Sequence, residues 1–302
     1  MSFSTKIAFL GIGLMGAPMA HRLLQAAYPV TVWNRTAGKT QTLAEAGARA
    51  ATSPQDGVAG AGIVISMLAD GPTVGQVMQA ALPALSPGTL WIDMSSTQQS
   101  EALAFHALLT QHGHRFIDAP VSGGVGGAQA GTLAIMAGGD ASDFSEAQAV
   151  LAAMGRPLRV GPAGSGQVAK LCNQLIVGAT LNIVAEALLL AQAAGADPAA
   201  VRNAIRGGFA ESRILDVHGQ RMLERNFLPG GQVKTQIKDM HNILAAAAAA
   251  GVSLPVTELV SARYESIEGL YPAADHSAAL LALERLNPGR RLGIGLDQLP
   301  DA

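Results

Sequence analysis

The chain has 302 residues, of which 49% are apolar and only 14% charged, with 35 glycines. This length and composition suit a globular protein of two domains and exclude a disordered chain. A formal net charge of −2, without any run of Lys or Arg, excludes the broad positive field that holds nucleic acid or anionic lipid. The single cysteine, Cys172, can form no intramolecular disulfide or thiolate zinc cluster, and it is expected as a small packed apolar residue. Met1 to Lys6 lead into the first strand without the apolar core of a signal peptide, so a soluble cytoplasmic protein is expected.

In chain order, Ile7-Ala8-Phe9-Leu10 is a short apolar run, followed at once by Gly11-Ile12-Gly13-Leu14-Met15-Gly16 and then by a helical pattern through Met19, Leu23 and Leu24. Strand, glycine turn and helix in that order are the opening of a dinucleotide-binding βαβ unit. Gly11 permits the tight turn, Gly13 lets main-chain N–H groups approach a pyrophosphate, and Gly16 lets the helix pack close to the strand. The positive end of the helix then faces the phosphates.

The second strand, Val30-Thr31-Val32-Trp33, ends in Asn34-Arg35-Thr36, where NAD-selective folds place an Asp or Glu on the adenine ribose. No acidic residue precedes Glu45, and the Arg35 guanidinium suits a 2′-phosphate. NADP(H) is the expected preference. Stacking of Arg35 on adenine, with Asn34 on a ribose hydroxyl, is the alternative that keeps NAD(H) usable.

Further strands are expected at Ile63 to Leu68, Leu90 to Met94 and Arg115 to Asp118, with helices between them. The alternation predicts a mostly parallel sheet with ligands beyond the carboxyl ends of its strands. Met67-Leu68, Ser95-Ser96-Thr97 and Val121-Ser122-Gly123-Gly124 fall at such ends. A Ser hydroxyl followed by two glycines could hold a carboxylate on main-chain N–H groups, or could be an ordinary turn. Thr132 to Gly139 and Leu158 to Val160 extend the sheet, and Gly161-Pro162-Ala163-Gly164 ends it.

From Gly166 to about Ala194 the pattern is helical and apolar on every side, as expected of a helix buried between two partners. Asn182, Glu186 and Gln192 interrupt its apolar stretch and argue against a membrane span. Lys170 is the only formal charge between Arg159 and Glu186, and a half-buried ammonium there is either anchored or reserved for a substrate. Gly195-Ala196-Asp197-Pro198 stops the helix and caps the next, and the remainder reads as helical. The tail from Asn287 is expected to be ordered only by docking. The organisation expected is a Rossmann domain over 1–163, an interdomain helix over 164–195 and a helical substrate and dimerisation domain over 196–302.

The fingerprint Gly11 to Gly16, the segment Asp118-Ala119-Pro120-Val121-Ser122-Gly123-Gly124, the stretch Gly164 to Gln174 and the pair Lys238-Asp239 resemble, in order and spacing, the β-hydroxyacid dehydrogenases. Ala204 to Gly208, Arg225-Asn226-Phe227 and Ala274 to Ala278 are most similar to the tartronate semialdehyde reductase branch, with 3-hydroxyisobutyrate dehydrogenases as the nearest alternative. The resemblance implies a doubly wound α/β domain joined to a helical one, and reduction of a small 3-oxo acid to the 3-hydroxy acid. It implies Lys170 as general acid and base, Ser122, Gly123 and Gly124 on the substrate carboxylate, and Asn173 or Gln174 at the substrate. Gly11 to Gly16, Asn34 to Thr36, Met67, Leu68, Thr97, Lys238 and Asp239 are implied at the cofactor, and the helical domain is implied to form a homodimer or homotetramer.

One departure stands out: Gly231 occupies a position where the family commonly carries Phe. The seven histidines are scattered in sequence without metal-site spacing, and His276 is expected to be structural or subunit-bridging. An imine reductase and a non-enzymatic dinucleotide-binding scaffold are the other readings. Lys170 argues against the first, and Ser122, Lys170 and Lys238 together argue against the second.

Overall fold

Ile7–Leu10 (β1) is buried at all four positions, as an interior strand covered on both faces requires. A computed structural model describes residues 5–301, so the reading of Met1 to Ser4 falls outside the described residues. It divides into two compact units, Met1–Lys170 and Leu171–Ala302.

In the first unit β1 pairs in parallel with β2 (Val30–Trp33) and β4 (Ile63–Ser66), and β2 carries the two-residue β3 (Arg49–Ala50) at the edge. Beyond β4 follow β5 (Leu90–Asp93) and β6 (Arg115–Asp118), also parallel. The order β3-β2-β1-β4-β5-β6 is that of a doubly wound dinucleotide fold. Three more strands complete the sheet: β7 (Val121–Ser122), β8 (Leu133–Gly138) and β9 (Gly155–Gly161), with β8 antiparallel to both β6 and β7 and parallel to β9. The helices are α1 (Gly16–Gln25), α2 (Gln41–Glu45), α3 (Pro54–Val58), α4 (Gly71–Ala81), α5 (Gln99–Gln111), α6 (Gly124–Ala130) and α7 (Ala141–Ala152). One core lies around Phe9, Met19, Leu23 and Ile92, and another around Leu10, Val64, Trp91 and Phe116. Strand β8 falls within the expected Thr132 to Gly139, whereas β7 was not legible, because two residues beside glycines give no periodicity.

The helix α8 (Ser165–Ala193) leaves the first unit and continues through the second. The second unit adds α9 (Pro198–Ile205), α10 (Arg213–Leu223), α11 (Val233–Ala249), α12 (Pro255–Glu265) and α13 (Ala279–Leu286). Its core gathers Leu181, Val184 and Leu188 of α8 with Leu215, Met222, Val233, Ile237, Tyr264 and Leu280. Asp197 caps α9 through the N–H of Ala199, with Pro198 in the first turn, as its sequence predicts.

Two expectations need correction. Helix α8 is long and apolar enough to cross a membrane, and one face is packed in the second core, but it is not buried all round. Ile176, Ile183 and Leu190 recur every seventh residue and are 62%, 60% and 68% exposed. Cys172, expected as a packed residue, is exposed as well. The cause is shared: apolar composition does not say which face of a long helix has a partner.

The tail docks. The Gln298 N–H donates to the Arg225 carbonyl and the Phe227 N–H to the Gln298 carbonyl, and Leu292 is fully buried. Arg225, itself buried, grips both Glu284 oxygens at 2.8 Å and also binds Asp297. A buried guanidinium is tolerable when its donors are met by carboxylates in this way.

Candidate active site

The glycine loop after β1 is as tight as its spacing implies. Gly11 has φ +106°, and a Cβ there would lie 2.3 Å from the Met67 carbonyl oxygen; one at Gly16 would lie 1.9 Å from the Gly11 carbonyl oxygen. A Cβ at Gly13 would meet nothing within 4 Å. The loop is therefore closed where chain crosses chain and open at its middle glycine, the form a pyrophosphate cradle needs. Ile12 is buried, whereas Leu14 is 83% exposed and Met15 half-buried.

Asn34 braces this loop. Its Oδ1 accepts the Ile12 N–H at 3.0 Å and its Nδ2 donates to the Thr36 carbonyl at 3.0 Å. Arg35 and Thr36 beside it are exposed. The structure thus gives Asn34 a scaffolding role that the sequence did not suggest, and leaves Arg35 as the guanidinium at the end of β2.

At the ends of β4 and β5 the chain is tied by side chains. The Leu68 N–H donates to Ser95 Oγ at 2.9 Å, and the Thr97 N–H to Gln167 Oε1 at 3.1 Å. Gln167 Nε2 closes the link on the Ser95 carbonyl at 2.8 Å. Asp118, at the end of β6, caps α8: Oδ1 accepts the Gly164 N–H at 2.7 Å and Oδ2 the Gln167 N–H at 2.8 Å. Gly166 must lack a side chain, since a Cβ would approach the carbonyl oxygens of Asp118 and Met136 to 2.4 Å. Lys170, half-buried, follows in the second turn of this anchored helix.

Burial pushes the Asp118 carboxyl up to about 7, against the downward pull of the Gly164 and Gln167 N–H groups. Asp93, fully buried at the end of β5, is pushed up to about 6 by burial, with Ser95 and Ser66 pulling it back. Ser66 Oγ donates to Asp93 Oδ1 at 2.7 Å and accepts from Trp91 Nε1 at 2.9 Å. Asp118, Asp93 and Gln167 were missed as supporting residues. Apart from the Ser95 N–H beside Asp93, their partners lie 27 to 72 positions away, so no local pattern could reveal them.

Ser122 closes β7 opposite Ala134, half-buried, and Gly123 and Gly124 take φ +141° and +62° as the chain turns into α6. Both glycines are exposed, and as the first residues of a helix their N–H groups lack partners inside it.

In the second unit, Asn173, Gln174, Lys238 and Asp239 come together. Asn173 Nδ2 donates to Gln174 Oε1 at 2.9 Å, Gln174 Nε2 donates to Asp239 Oδ2 at 2.6 Å, and Lys238 Nζ lies 3.5 Å from Asp239 Oδ1. Lys238 and Asp239 are therefore no exposed surface pair, since Asp239 is buried. Histidines scattered in sequence also meet here: Nε2 of His218 and Nε2 of His276 are 3.4 Å apart, beside Asp275. The imidazole of His276 lies against Gly231, where a Cβ would come within 2.9 Å of its Cε1.

Residues 6–171 match the family described as the NAD binding domain of 6-phosphogluconate dehydrogenase, and residues 164–283 match that described as NAD-binding of NADP-dependent 3-hydroxyisobutyrate dehydrogenase. The 2-hydroxy-3-oxopropionate reductase of Escherichia coli is 38% identical over 285 residues, spanning 92% of this chain and 97% of that protein. The NAD-dependent L-serine dehydrogenase of Pseudomonas aeruginosa is 36% identical over 270 residues, spanning 86% and 91%. Among solved structures, Mycobacterium tuberculosis 3-hydroxyisobutyrate dehydrogenase with L-serine aligns with a TM-score of 0.86 at 33% identity, covering 93% of this chain and 99% of that one. With relatives matching nearly its whole length, and a glycine loop shaped for a pyrophosphate, the chain belongs to the β-hydroxyacid dehydrogenase family and is an NAD(P)-dependent oxidoreductase.

Proposed function

We propose that this enzyme reduces a small 3-oxo acid to its 3-hydroxy acid, with tartronate semialdehyde going to D-glycerate as the first choice of substrate and NADPH as the preferred cofactor. The observation that carries the reading is Lys170 in the second turn of a helix whose start is fixed by Asp118 and Gln167. The similarity to the E. coli reductase points the same way.

When bound, the dinucleotide would supply hydride chemistry from its nicotinamide. As negative charge grows on the carbonyl oxygen, Lys170 as an ammonium stabilises it and donates a proton to it; in the oxidative direction the neutral amine takes that proton back. Ser122 Oγ and the N–H groups of Gly123 and Gly124 bind the substrate carboxylate and fix the carbonyl's orientation. Asn173 or Gln174, three and four residues beyond Lys170 on α8 and hydrogen-bonded to each other, supplies the substrate-side amide. Gly11 to Gly16 hold the pyrophosphate, Met67, Leu68 and Thr97 line the cofactor, and Lys238 and Asp239 serve the nicotinamide end. Arg35 binds the 2′-phosphate, with Asn34 and Thr36 framing it.

In domain terms, 1–163 binds the dinucleotide, 164–195 is the interdomain helix, and 196–302 serves substrate binding and dimerisation in a soluble cytoplasmic homo-oligomer. The exposed stripe Ile176, Ile183 and Leu190 supports a partner subunit on α8. A second reading, oxidation of L-serine or 3-hydroxyisobutyrate, is favoured by the names of the P. aeruginosa and M. tuberculosis relatives.

Initial rates decide between them: tartronate, methylmalonate and succinic semialdehydes with NADPH and NADH, against L-serine and 3-hydroxyisobutyrate with NADP+ and NAD+. The highest kcat/KM with tartronate semialdehyde and NADPH is expected. A higher value for L-serine or 3-hydroxyisobutyrate would replace the first reading by the second.

A further inference from the structure

Arg225 is fully buried and spends its donors within the protein. Its Nη1 and Nη2 hold the two Glu284 oxygens at 2.8 Å, Nη1 also donates to the Leu292 carbonyl at 2.7 Å, and Nε binds Asp297. Arg291 reinforces the joint, its Nη2 donating to Asp297 Oδ1 at 2.9 Å and to the Gly295 carbonyl at 2.8 Å. Glu284 and Asp297 are therefore both matched by guanidinium groups that the fold itself supplies.

These pairs line a cavity of about 430 Å³ in the second unit, a volume in the range of small-molecule sites. Buried Arg225 and Leu281 form its floor, and half-buried Tyr271 stands in its wall. Arg285 and Arg290, both exposed, complete the lining. With Glu284 and Asp297 matched by Arg225 and Arg291, the charge left at the cavity is that of Arg285 and Arg290. Among the described residues neither of these side chains has a hydrogen-bond or ion-pair partner, and neither does the Tyr271 hydroxyl. A guanidinium at a helix end is ordinary, and Arg285 in the last turn of α13 complements the negative end of that helix. Arg290 has no such account. It follows Gly289, which turns the chain at φ +80°, and it adds a second unmatched cation to the same cavity.

We propose that this cavity binds a soluble phosphate monoester, with its dianionic group on Arg285 and Arg290 and its organic part against Tyr271 and Leu281, and that the bound ligand fastens the tail to α13. Planar guanidinium forks match phosphate oxygens bidentately, and a phosphate monoester brings the acceptors and the double negative charge that two unmatched guanidiniums call for. The Tyr271 hydroxyl can donate a further hydrogen bond, while its ring and Leu281 offer apolar surface to the rest of the molecule.

The tail is what builds this site. Arg285, Arg290, Arg291 and Asp297 all lie beyond residue 283, where the match to the 3-hydroxyisobutyrate dehydrogenase family ends. Arg285 belongs to α13 and Arg290 to the tail, so one anion held by both adds a tie to those that Arg225 already makes between Glu284 and Asp297.

The test is calorimetric titration of the full chain with glucose 6-phosphate, in the presence of saturating NADP+ so that the glycine loop and Arg35 are not open to the probe. Saturable binding is expected, with none for glucose. The double variant Arg285→Gln/Arg290→Gln should weaken it by roughly tenfold or more, the weight of hydrogen bonds to a charged group, and leave dinucleotide binding unchanged. Chymotryptic cleavage of the tail at Leu296, which is 89% exposed, should slow when glucose 6-phosphate is added to the wild type and not when it is added to the double variant. A heat that sodium chloride reproduces at equal ionic strength, or the same affinity in the double variant, would overturn the site. Tail cleavage that ignores bound ligand would overturn the fastening role. Vesicles containing phosphatidic acid should not sediment the protein; sedimentation that the double variant loses would give the phosphate to a lipid headgroup and overturn the soluble ligand. If NADP+ does not bind, the dehydrogenase reading fails, and the same titrations on Arg35→Ala, with and without the double substitution, still decide the cavity.

Discussion

Asp118 and Gln167 meet across 49 positions of sequence, the Asp118 Oδ2 accepting the Gln167 main-chain N–H at 2.8 Å while Oδ1 takes that of Gly164. Asp118→Asn leaves one acceptor oxygen and turns an NH2 group toward a buried N–H. Stability in urea should fall by about 1–3 kcal/mol. kcat should drop as the turn carrying Lys170 loosens, with dinucleotide affinity nearly unchanged. A variant of wild-type stability would show that the cap is dispensable.

Lys170→Met keeps the apolar stem and removes the ammonium. Dinucleotide binding, read by fluorescence titration, should persist, while kcat falls by roughly 10²–10⁴, the usual weight of a general acid and base. Turnover at the wild-type rate would assign the proton to another group.

The two glycines of the loop should behave differently. Gly16→Ala drives a methyl group into the Gly11 carbonyl, so a loss of about 1–3 kcal/mol in stability and failure to bind dinucleotide are expected together. Gly13→Ala meets no protein atom, so Tm should hold while dinucleotide affinity falls. Calorimetry and a binding titration on both variants check this, and wild-type affinity in Gly13→Ala would mean that the loop does not cradle phosphate.

Arg35→Ala should raise the KM for NADPH by roughly ten- to hundredfold, corresponding to about 1.5–3 kcal/mol for hydrogen bonds to a charged group. The KM for NADH should change little. Steady-state kinetics with both cofactors give the ratio, and an unchanged ratio would move 2′-phosphate recognition elsewhere.

Asp93 gives a pH dependence of stability. Its carboxyl is pushed up to about 6 in the folded protein, so between its unfolded value near 4 and that point the folded state holds more protons than the unfolded one. Its contribution is full below about pH 4 and declines as pH rises through about 6, by up to about 3 kcal/mol. Asp93→Asn should remove that decline from urea-unfolding free energies measured between pH 4 and 7. The same slope in the variant would place the proton uptake on another group.

The sequence by itself determined the parallel sheet, the glycine loop and the long helix. Each is written in residues close together in the chain: an apolar run before G-x-G-x-x-G, β-rich segments at regular intervals, and apolar residues from Gly166 until Gly195. It also brought Lys170 and Ser122 to notice, because a lone charge or a hydroxyl before two glycines is conspicuous in an apolar chain, and Lys238 through the family resemblance alone. Only the tertiary structure decided that Asn34 braces the loop, that Asp118 and Gln167 anchor the start of α8, that Ile176, Ile183 and Leu190 stay exposed, and that His218 faces His276 beside Gly231. Periodicity records how a residue relates to its near neighbours along the chain. A buried polar group is satisfied by whichever donor or acceptor the fold delivers from tens of positions away, and that partner exists only once the strands and helices have packed.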